Sequence, residues 1–307
     1  MKRRGFALLT VLWVMLAATL LALGFTRTAR ADVDASRNRA DAARASWSAF
    51  GCVERVRAAT DALLGAARSQ AEAGQVWREL DRLIDRASLD GCDVSLEAAG
   101  ARLDINSATS EQVEKLFRNV GMADPAGMAN RVLDWRDADD MPRERGAEYD
   151  SYQARGARLP RNGPLTSVAE LRFVQGWEDI PGLDTLLSVE PGRVALNSAS
   201  LAVLATLPGF TDEAVQRVAL DRGAGRPLTN LLVLAASLPR AAADSIAIHF
   251  QELAPRVTVE PDAWIVTARA QAGSPPLVMV EKARIVRDDR HHIVAWRRGM
   301  FGRRGAW

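Results

Sequence analysis

The sequence predicts an α+β protein in which one long N-terminal helix packs on a small antiparallel sheet and a large all-α domain is inserted between the strands. Three observations predict this fold. The N-terminal part, through about residue 73, contains no proline and has helical patterns. Strand-like alternation occurs at residues 91–105 and again after residue 257. Residues 106–250, between the two groups of strands, have helical patterns.

The first residues predict a membrane helix. Lys2, Arg3 and Arg4 precede an uncharged and mostly apolar run at residues 6–25. Because a helix rises about 1.5 Å per residue, a run of this length matches the roughly 30 Å hydrocarbon core of a bilayer. The cations before the run are expected to hold the N-terminus in the cytoplasm.

The border between the cations and the apolar run resembles a known processing signal. A secretory signal peptide has a shorter apolar region followed by a small-residue cleavage site, and residues 20–28 contain no clear A-x-A site. Gly5 and Phe6 instead stand before the run, as in the class III signal of type IV pilins and type II secretion pseudopilins. This resemblance implies that prepilin peptidase cleaves between Gly5 and Phe6 and that Phe6 becomes N-methylated. The alternative is a plain signal anchor with an accidental glycine.

The fifth residue after this bond indicates which type of pseudopilin the chain resembles. Most pilins have a glutamate there, whose carboxylate pairs with the N-terminal ammonium of a neighbouring subunit in an apolar filament core. This chain has Thr10 instead. A subunit without that carboxylate suits a terminal place in the filament, and in this respect the chain resembles the K-type minor pseudopilins, the general secretion pathway protein K family. The resemblance implies a pilin-like body, and it implies I-type and J-type minor pseudopilins as partners.

Composition and charge exclude some partners and suggest a disulfide. The formal net charge of the 307 residues is +2, and residues 106–250 hold 15 Lys and Arg against 19 Asp and Glu, a net of −4. Neither value indicates a nucleic-acid partner. Cys52 and Cys92 are the two cysteines, and both fall on the predicted periplasmic side, where thiols tend to oxidise. A Cys52–Cys92 disulfide is therefore expected, and the alternative is two small buried residues.

Two helices and a hairpin are expected before residue 106. The first helix continues from residue 27 to about residue 73, with apolar residues at spacings of three and four between Phe50 and Leu64. The second helix is expected at residues 75–87. The pattern then alternates, with an interruption at Ala99-Gly100, and predicts a β-hairpin at residues 91–105. After residue 256, β-branched and aromatic residues predict three or four antiparallel strands, at 257–259, 263–270, 277–286 and 292–296.

The helical segment contains an internal repeat. Residues 103–109 match residues 194–200, and the Pro-Leu-Thr-Ser at 164–167 matches the Pro-Leu-Thr-Asn at 227–230. In each copy, asparagine and then serine offer caps at a helix start. Asn106 and Leu165 are 59 residues apart, whereas Asn197 and Leu228 are 31 apart. Two copies of one helical unit are therefore predicted, and the first copy holds an insertion.

The insertion is acidic and suggests a metal site. Carboxylates confined in a short loop repel one another unless a cation or arginines neutralise them, and a set of oxygen ligands favours calcium. Calcium is therefore the expected cofactor. The spacing is not that of an EF-hand, because Pro142 stands where that loop needs glycine. The alternative is a solvated loop neutralised by Arg136, Arg143, Arg145 and Arg155. The candidate ligands are Asp134, Asp137, Asp139, Asp140, Glu148 and Asp150.

The insertion also carries a motif. Residues 134–140 and 146–152 resemble the D-W-x-D-x-D-D and G-A-E-x-x-x-Y signature of K-type pseudopilins. That family is understood to bind calcium in its enlarged helical domain, so the resemblance supports the cation site.

Two other functions agree less well with the sequence. The repeats resemble helix-hairpin-helix or SAM-like units, and their Asn-Ser-Ala opening is close to that of a competence-type DNA receptor. The turns at Gly121 and Gly209 lack the second glycine usual in such units, and the negative charge of the segment opposes a polyanion. No nucleic acid is therefore expected. No catalytic motif accompanies the three histidines, so an enzyme is not expected either.

The sequence thus predicts a single-pass inner-membrane protein with a periplasmic body, a minor pseudopilin at the tip of the type II secretion pseudopilus. A type IV pilus minor pilin is the nearest alternative. The predicted divisions are a leader peptide at 1–5, a transmembrane helix at 6–26, a periplasmic stem with first strands at 27–105, an inserted α-helical domain at 106–250 with its acidic insertion at 134–163, and C-terminal strands at 251–307.

Overall fold

The structure, a computed structural model, describes residues 4–86, 89–287 and 298–301. Its α-helices are α1 (Arg4–Ala66), α2 (Gln70–Arg78), α3 (Leu80–Leu83), α4 (Ser110–Asn119), α5 (Pro125–Arg136), α6 (Tyr149–Gln153), α7 (Leu201–Leu204), α8 (Asp212–Gly223), α9 (Leu231–Ala236), α10 (Arg240–Ile248) and α11 (Phe250–Leu253). Short 3₁₀ helices lie at Val168–Phe173, Leu183–Thr185 and Ala254–Arg256. The strands are β1 (Cys92–Ala98), β2 (Leu103–Asp104), β3 (Leu187–Ser188), β4 (Val194–Ala195), β5 (Val257–Thr258), β6 (Trp264–Ala272), β7 (Leu277–Ile285) and β8 (Arg298–Phe301).

Helix α1 has an exposed half and a half that packs on the body. Its apolar side chains from Leu8 to Phe25 are exposed, and in the described part of the chain it is the one helix long and apolar enough to cross a membrane. Burial begins at Ala45 and continues with Ala49 and Cys52. Helix α1 is therefore the candidate membrane anchor among the described residues, and it runs without a break into the part that packs on the body.

The second half of α1 lies on a four-stranded antiparallel sheet. The strand order is β1-β6-β7-β8, with each neighbouring pair antiparallel. Val53 and Val56 of α1 are fully buried against Val266, Ala268 and other side chains of the sheet. This arrangement confirms the predicted α+β architecture of a long helix on a small antiparallel sheet, as in a pilin-like body.

The helix after α1 is fixed to the sheet by two tryptophans. Trp77 donates from Nε1 to the Pro261 carbonyl at 2.7 Å, and Trp264 donates from Nε1 to the Trp77 carbonyl at 2.9 Å. The predicted helix bounds are wrong here. The long helix ends at Ala66 rather than near residue 73, because the side chain of Ser69 accepts a hydrogen bond from the backbone of Glu72 and starts α2. The second helix was expected at residues 75–87, but α2 begins at residue 70 and α3 ends at residue 83.

The hairpin predicted at residues 91–105 is also wrong. Strand β1 pairs along its length with β6, while β2 pairs in parallel with β3 in a separate sheet. Gly100, with φ of 81°, turns the chain between β1 and β2. A Cβ added to Gly100 would lie 1.7 Å from the Arg193 carbonyl oxygen. The chain at Gly100 is therefore packed against the segment before β4, which prevents β2 from folding back on β1.

One predicted C-terminal strand belongs to another sheet. Val257–Thr258 pairs in parallel with Val194–Ala195, so it does not join the four-stranded sheet. The strands expected at residues 263–270 and 277–286 correspond to β6 and β7. The strand expected at residues 292–296 lies outside the described residues.

The residues between β1 and β6 form two helical segments with a core of their own. We call residues 103–189 the first helical segment and residues 194–259 the second helical segment. Buried side chains from Leu103 to Val257 make one cluster, distinct from the cluster between α1 and the sheet. The two helical segments therefore share a hydrophobic core that is separate from the core between α1 and the four-stranded sheet.

The two segments repeat one set of contacts. The Asn106 side chain donates to the Leu165 carbonyl at 2.9 Å and accepts from the Leu165 backbone N–H at 2.8 Å. Asn197 makes the same pair of bonds with Leu228, at 2.9 Å and 2.8 Å. In both cases an asparagine at the start of a segment satisfies the backbone of a residue that is distant in sequence.

An arginine near the end of a long helix is also common to both segments. Arg136 of α5 donates to the carbonyls of Ile105 and Ala108. Arg222 of α8 donates to the carbonyls of Leu196 and Ala199. Burial lowers the pKa of both guanidinium groups, and each fixes its helix end to the strand and turn that open its segment.

Candidate functional site

The candidate site lies where α5 ends and the acidic insertion begins. Asp124 caps the start of α5 by accepting from the Gly127 N–H, and Pro125 occupies the first turn, where its missing N–H costs nothing. At the other end, Trp135 is fully buried, with its ring 5.3 Å from the ring of Tyr152 in an edge-to-face arrangement. These contacts fix the last turn of α5, which carries the first acidic side chain of the site.

Asp134 is fully buried and holds the insertion against α5. Its carboxylate accepts from the Ala147 N–H at 2.9 Å, from the Arg143 N–H at 3.2 Å and from Arg143 Nη1 at 2.6 Å. Gly146 permits this approach, because a Cβ there would lie 1.9 Å from Asp134 Oδ2. The loop therefore closes over a buried charge that its own backbone solvates.

Three carboxylates converge beside this loop. The side chains of Asp134, Asp137 and Glu148 each offer an oxygen atom, and these three atoms lie within 4.8 Å of one another. Arg143 bridges Asp134 and Asp137 from one side. Three carboxylates and one guanidinium leave an excess of negative charge in a site that is largely closed to water.

Glu148 is the group with no donor. It is 4% exposed, and both of its carboxylate oxygens are buried without a hydrogen-bond partner in the described part of the chain. Oδ1 of Asp137 is likewise buried without a hydrogen-bond partner among the described residues. Burial, together with the nearby charges of Asp134 and Asp137, raises the pKa of Glu148 to about 7. A buried acid without a donor is costly in its charged form, so Glu148 needs either a proton or a cation.

The other three predicted ligands are not brought into this cluster. Asp139 and Asp140 are exposed, and each accepts a local hydrogen bond, Asp139 from the Met141 N–H and Asp140 from the Asn162 side chain. Their negative charges still contribute to the raised pKa of Glu148. Asp150 is exposed in the first turn of α6.

The four arginines that were expected to neutralise a solvated acidic loop have different partners in the structure. Only Arg143 forms ion pairs with the cluster among the described contacts. Arg136 binds backbone carbonyls of the segment opening, and Arg145 pairs with Asp124. Arg155 is exposed. One guanidinium therefore faces three carboxylates, and arginine alone does not neutralise the site.

Glu170 supports the site, and it was not among the residues predicted from the sequence. Glu170 is 7% exposed and accepts from Trp135 Nε1 at 3.3 Å and from the Thr166 N–H at 3.1 Å. Hydrogen bonds from these donors outweigh its burial and lower its pKa. The Ser167-x-x-Glu170 spacing, which is typical of a helix start, could have drawn attention to it.

The remaining predicted site residues lie in α1 and β1. Gly5 and Phe6 are in the first turns of α1, and their cleavage and methylation stay predictions. Cys52 of α1 and Cys92 of β1 are joined as a disulfide, with their Cα atoms 6.5 Å apart. The bond would tie the long helix to the edge strand of the sheet, and its formation in the cell stays a prediction.

Comparisons with known proteins identify relatives. The sequence model of a family described as type II secretion system (T2SS), protein K, matches residues 63–180. No curated protein matches the chain. A chain in the crystal structure of the GspK-GspI-GspJ complex from the enterotoxigenic Escherichia coli type 2 secretion system has the same fold, with a TM-score of 0.60 and 17% sequence identity over 86% of this chain and 99% of that chain. The family match spans the whole acidic insertion and supports the resemblance found in the sequence: over these residues the chain is similar to type II secretion system protein K.

Proposed function

We propose that the chain is a minor pseudopilin that forms the tip of the periplasmic pseudopilus, which supports export of folded proteins across the outer membrane. The observation that carries this proposal is the family match over residues 63–180, which contains the candidate site. The similar E. coli chain belongs to a GspK-GspI-GspJ complex. This supports I-type and J-type minor pseudopilins as the partners. The role is structural rather than catalytic.

Helix α1 would anchor the protein before assembly. We infer a single-pass orientation in the inner membrane, with the N-terminus in the cytoplasm and the body in the periplasm. The cations at residues 2–4 and the exposed apolar side chains from Leu8 to Phe25 support this orientation. Prepilin peptidase would cleave between Gly5 and Phe6 and leave the whole apolar helix on the mature protein, with Phe6 N-methylated.

The size of the two helical segments supports a position at the tip of the filament. Residues 103–257 have a hydrophobic core separate from the core between α1 and the sheet. A domain of this size beside a pilin-like body should clash with a further subunit stacked beyond it. The tip of the filament is the position where no such subunit is present.

We propose a calcium site at the carboxylate cluster. Asp134, Asp137 and Glu148 would hold the ion, because one oxygen atom of each converges on the same place. Oδ1 of Asp137 and both carboxylate oxygens of Glu148 are also buried without a hydrogen-bond partner among the described residues. Oxygen ligands from carboxylates suit a hard cation such as calcium. The ion would supply the positive charge that Arg143 alone does not supply, and it would fasten the insertion to α5.

Isothermal titration of calcium into the full-length protein in detergent tests this site. We expect binding by the wild-type protein and at least a tenfold loss of affinity in Glu148→Gln, because a neutral amide offers one weaker ligand atom. Asp150→Asn is the matched control, since Asp150 is exposed outside the cluster. Absence of heat at millimolar calcium would refute the site.

We propose that the two helical segments are helix-hairpin-helix or SAM-like units used for structure rather than for DNA. The paired bonds of Asn106 and Asn197 support a common unit. Gly121 and Gly209, with φ of 81° and 75°, make the turns after α4 and α7. The negative charge of residues 106–250 disfavours a polyanion, so no nucleic acid is proposed as a partner.

Purification of the full-length chain from detergent-solubilised membranes of its own host tests the tip assignment. We expect mass spectrometry to find the I-type and J-type minor pseudopilins with it, and deletion of its gene to abolish secretion. A chain that is recovered without either partner would contradict the proposal. In the same sample, thiol titration of the unfolded and unreduced protein tests the disulfide, and two reactive thiols would refute it.

A further inference from the structure

The surface that follows α6 is basic, although the insertion before it is acidic. Residues 151–177 contain four arginines against one acid, whereas residues 134–150 contain three arginines against seven acids. Of the four, Arg161 pairs with Glu170 at 3.5 Å. The other three are exposed, and none of them forms an ion pair in the described part of the chain. We call these three arginines, with the ring that two of them contact, the basic face, which consists of Arg155, Arg158, Arg172 and Phe173.

Two guanidinium groups of the basic face lie on one aromatic ring. The Cζ atom of Arg158 is 4.5 Å from the centroid of the Phe173 ring, and that of Arg172 is 4.8 Å from it. The two charges are therefore at most about 9 Å apart, the sum of these distances, which is close to the screening length of roughly 8 Å in physiological salt. The ring attracts both cations but offers no lone pair to their N–H groups. The pair thus keeps its donors available and holds a local excess of positive charge.

The core of the first helical segment fixes the two parts of the chain that carry these arginines. Tyr152 is 1% exposed, and its hydroxyl accepts from the Gln175 N–H at 3.0 Å, which joins α6 to the residues after the 3₁₀ helix. The Tyr152 carbonyl accepts from the Ala157 N–H at 3.1 Å and so forms the turn that leads to Arg158. The basic face is therefore positioned by backbone contacts of a buried residue and not only by its own long side chains.

The second helical segment shows that the repeated unit does not need this arrangement. The matched Pro-Leu-Thr sequences align Leu171 with Leu234, and both leucines are fully buried. The next two residues are Arg172-Phe173 in the first segment and Ala235-Ala236 in the second. The unit folds with two alanines at these positions, so the arginine and the ring are not required for its packing and are available for binding.

The charges around the basic face indicate what kind of anion fits it. The forked N–H groups of a guanidinium match the oxygen atoms of carboxylates and of phosphates. An extended polyanion, such as a nucleic acid or an anionic membrane surface, would also meet the seven acids of residues 134–150. A short segment with a few carboxylates would contact the basic face alone. The surroundings therefore favour an acidic protein segment.

A second copy of this chain is a poor occupant. Its acidic insertion would have to contact the basic face of the first copy, which is a head-to-tail contact that builds rings or open chains. The proposed function places a single copy at the tip, and the exclusion of a second copy rests on that function.

We propose that the basic face binds a short acidic segment of a different protein. Aspartate or glutamate side chains of that segment accept hydrogen bonds from Arg158 and Arg172, which the Phe173 ring holds side by side. Arg155, in the turn after α6, adds positive charge at the edge. Arginine held against an aromatic ring is a common energetic centre of protein interfaces.

Fluorescence anisotropy of labelled hexaglutamate with the full-length protein in detergent tests the binding chemistry. We expect the wild-type protein to bind, and the variant with both Arg158→Glu and Arg172→Glu to bind at least about tenfold more weakly, because like charges then meet. Arg240→Glu is the matched control, since Arg240 is 95% exposed in the second helical segment, and it should bind as the wild type does. An absence of binding by the wild-type protein, or an equal loss in the control, would overturn the proposal.

A second variant separates binding from folding. The combination of Arg172→Ala with Phe173→Ala gives the first segment the two residues of the second, so it should fold by circular dichroism and lose about tenfold in affinity for hexaglutamate. A folded variant with unchanged affinity would refute the role of the ring. Labelled oligothymidylate is the comparison ligand, and tighter binding of it than of hexaglutamate by the wild-type protein would refute a carboxylate partner.

Photocrosslinking in secreting cells of its own host tests the occupant. A benzophenone amino acid replaces Ala157, beside the basic face, or Ala236, which aligns with Phe173 in the second segment. We expect an adduct from Ala157 at about tenfold the level from Ala236, with a different protein whose crosslinked peptide contains several Asp or Glu residues. Changing those acids to lysine should restore the adduct that Arg158→Glu with Arg172→Glu abolishes.

The other outcomes of the crosslinking contradict the proposal in distinct ways. A crosslinked peptide without acids would refute the charge pairing, and an adduct with a second copy would refute the different protein. Equal or absent adducts from the two positions would refute the basic face as an interface. None of these results alters the recovery of minor pseudopilins with the chain, which tests the proposed function separately.

Discussion

The two helical segments hold their ends in the same way but differ in the residues that precede the arginine of each segment. Two residues before Arg136, the first segment has Asp134, which is fully buried. Two residues before Arg222, the corresponding arginine of the second segment, lies Leu220, which is 69% exposed. Asp134 is covered by the insertion that follows Arg136, and Leu220 has no such covering segment. Burial of a carboxylate at this position thus comes from the insertion and not from the repeated unit.

The acids near each arginine also differ in how they are satisfied. Asp221 of the second segment accepts from Arg217 at 2.8 Å and from Arg226 at 3.1 Å, and the first of these bonds is the largest cause of its lowered pKa. Glu148 of the first segment finds no hydrogen-bond donor among the residues that the structure describes, and its pKa is raised. One segment uses its acid as a paired structural charge, whereas the other leaves acids unpaired at a site that can take a cation.

Truncation at matched positions should have the largest and most unequal effect. Trp135 and Asp221 each directly precede the shared arginine. Trp135→Ala should lower the free energy of unfolding by about 4 kcal/mol, because it empties a fully buried site, whereas Asp221→Ala should cost about 1 kcal/mol through the lost ion pairs. Urea unfolding of the full-length protein followed by circular dichroism measures both. Equal losses would show that the insertion does not depend on Trp135.

The pH dependence of stability should separate the segments next. The folded pKa of Glu148 is about 7, above its ordinary value of 4.5, so the folded protein holds a proton that the unfolded chain has released. In the absence of calcium, the stability present below pH 4.5 should be lost as the pH rises to about 7, by about 3 kcal/mol. Urea unfolding in EDTA across this range measures the loss, and Glu148→Gln should remove it.

Asp221 supplies the opposite control. Its folded pKa is lowered, so its contribution should be lost as the pH falls, and Asp221→Asn should remove that part of the acid sensitivity. A wild-type protein that gains stability as the pH rises toward 7, with no change in Glu148→Gln, would contradict the unpaired state of Glu148.

The glycine that lets the insertion close should give the third largest difference between the segments. Gly146→Ala should destabilise the protein by about 2 kcal/mol, because its Cβ would overlap Asp134 Oδ2 and the backbone of Arg143. Gly223→Ala, at the end of α8, meets no atom within 4 Å and should be neutral or stabilising by about 0.5 kcal/mol. Thermal unfolding of both variants distinguishes them. Equal behaviour would mean that the loop does not close on Asp134 in solution.

The sequence predicted those features that depend on nearby residues. The anchor, the helix on an antiparallel sheet and the acidic cluster follow from apolar runs, alternation and local charge. The pairing of β2 with β3 could not be predicted, because it joins Leu103 to Leu187 and depends on the turn at Gly100. Strands of two residues also carry too little pattern to reveal their partner.

Prediction of the site was limited for a different reason. Spacing identified six carboxylates within one short stretch, and the structure brings together three of them. Which acids converge depends on where α5 ends and on the backbone N–H of Ala147, which binds Asp134. The burial of Glu148 could not be seen in the pattern of charges. The role of Glu170 could not be seen there either, because it depends on the placement of Trp135, which donates a hydrogen bond to it.

The smallest expected difference is between the two asparagines that join the segment ends. Asn106→Ala and Asn197→Ala each remove a donor and an acceptor from the backbone of one buried leucine, Leu165 or Leu228. Each should cost about 2 kcal/mol, since both backbone groups lose their partners. Asn197 also donates to the Val259 carbonyl, so its loss should be greater by about 0.5 kcal/mol. Urea midpoints of the two variants compare them, and hydrogen exchange at Leu165 and Leu228 localises the change. A large effect of Asn106 with none of Asn197 would mean that only the first helical segment relies on this contact, and the shared unit would then be a resemblance in sequence without a common energetic role.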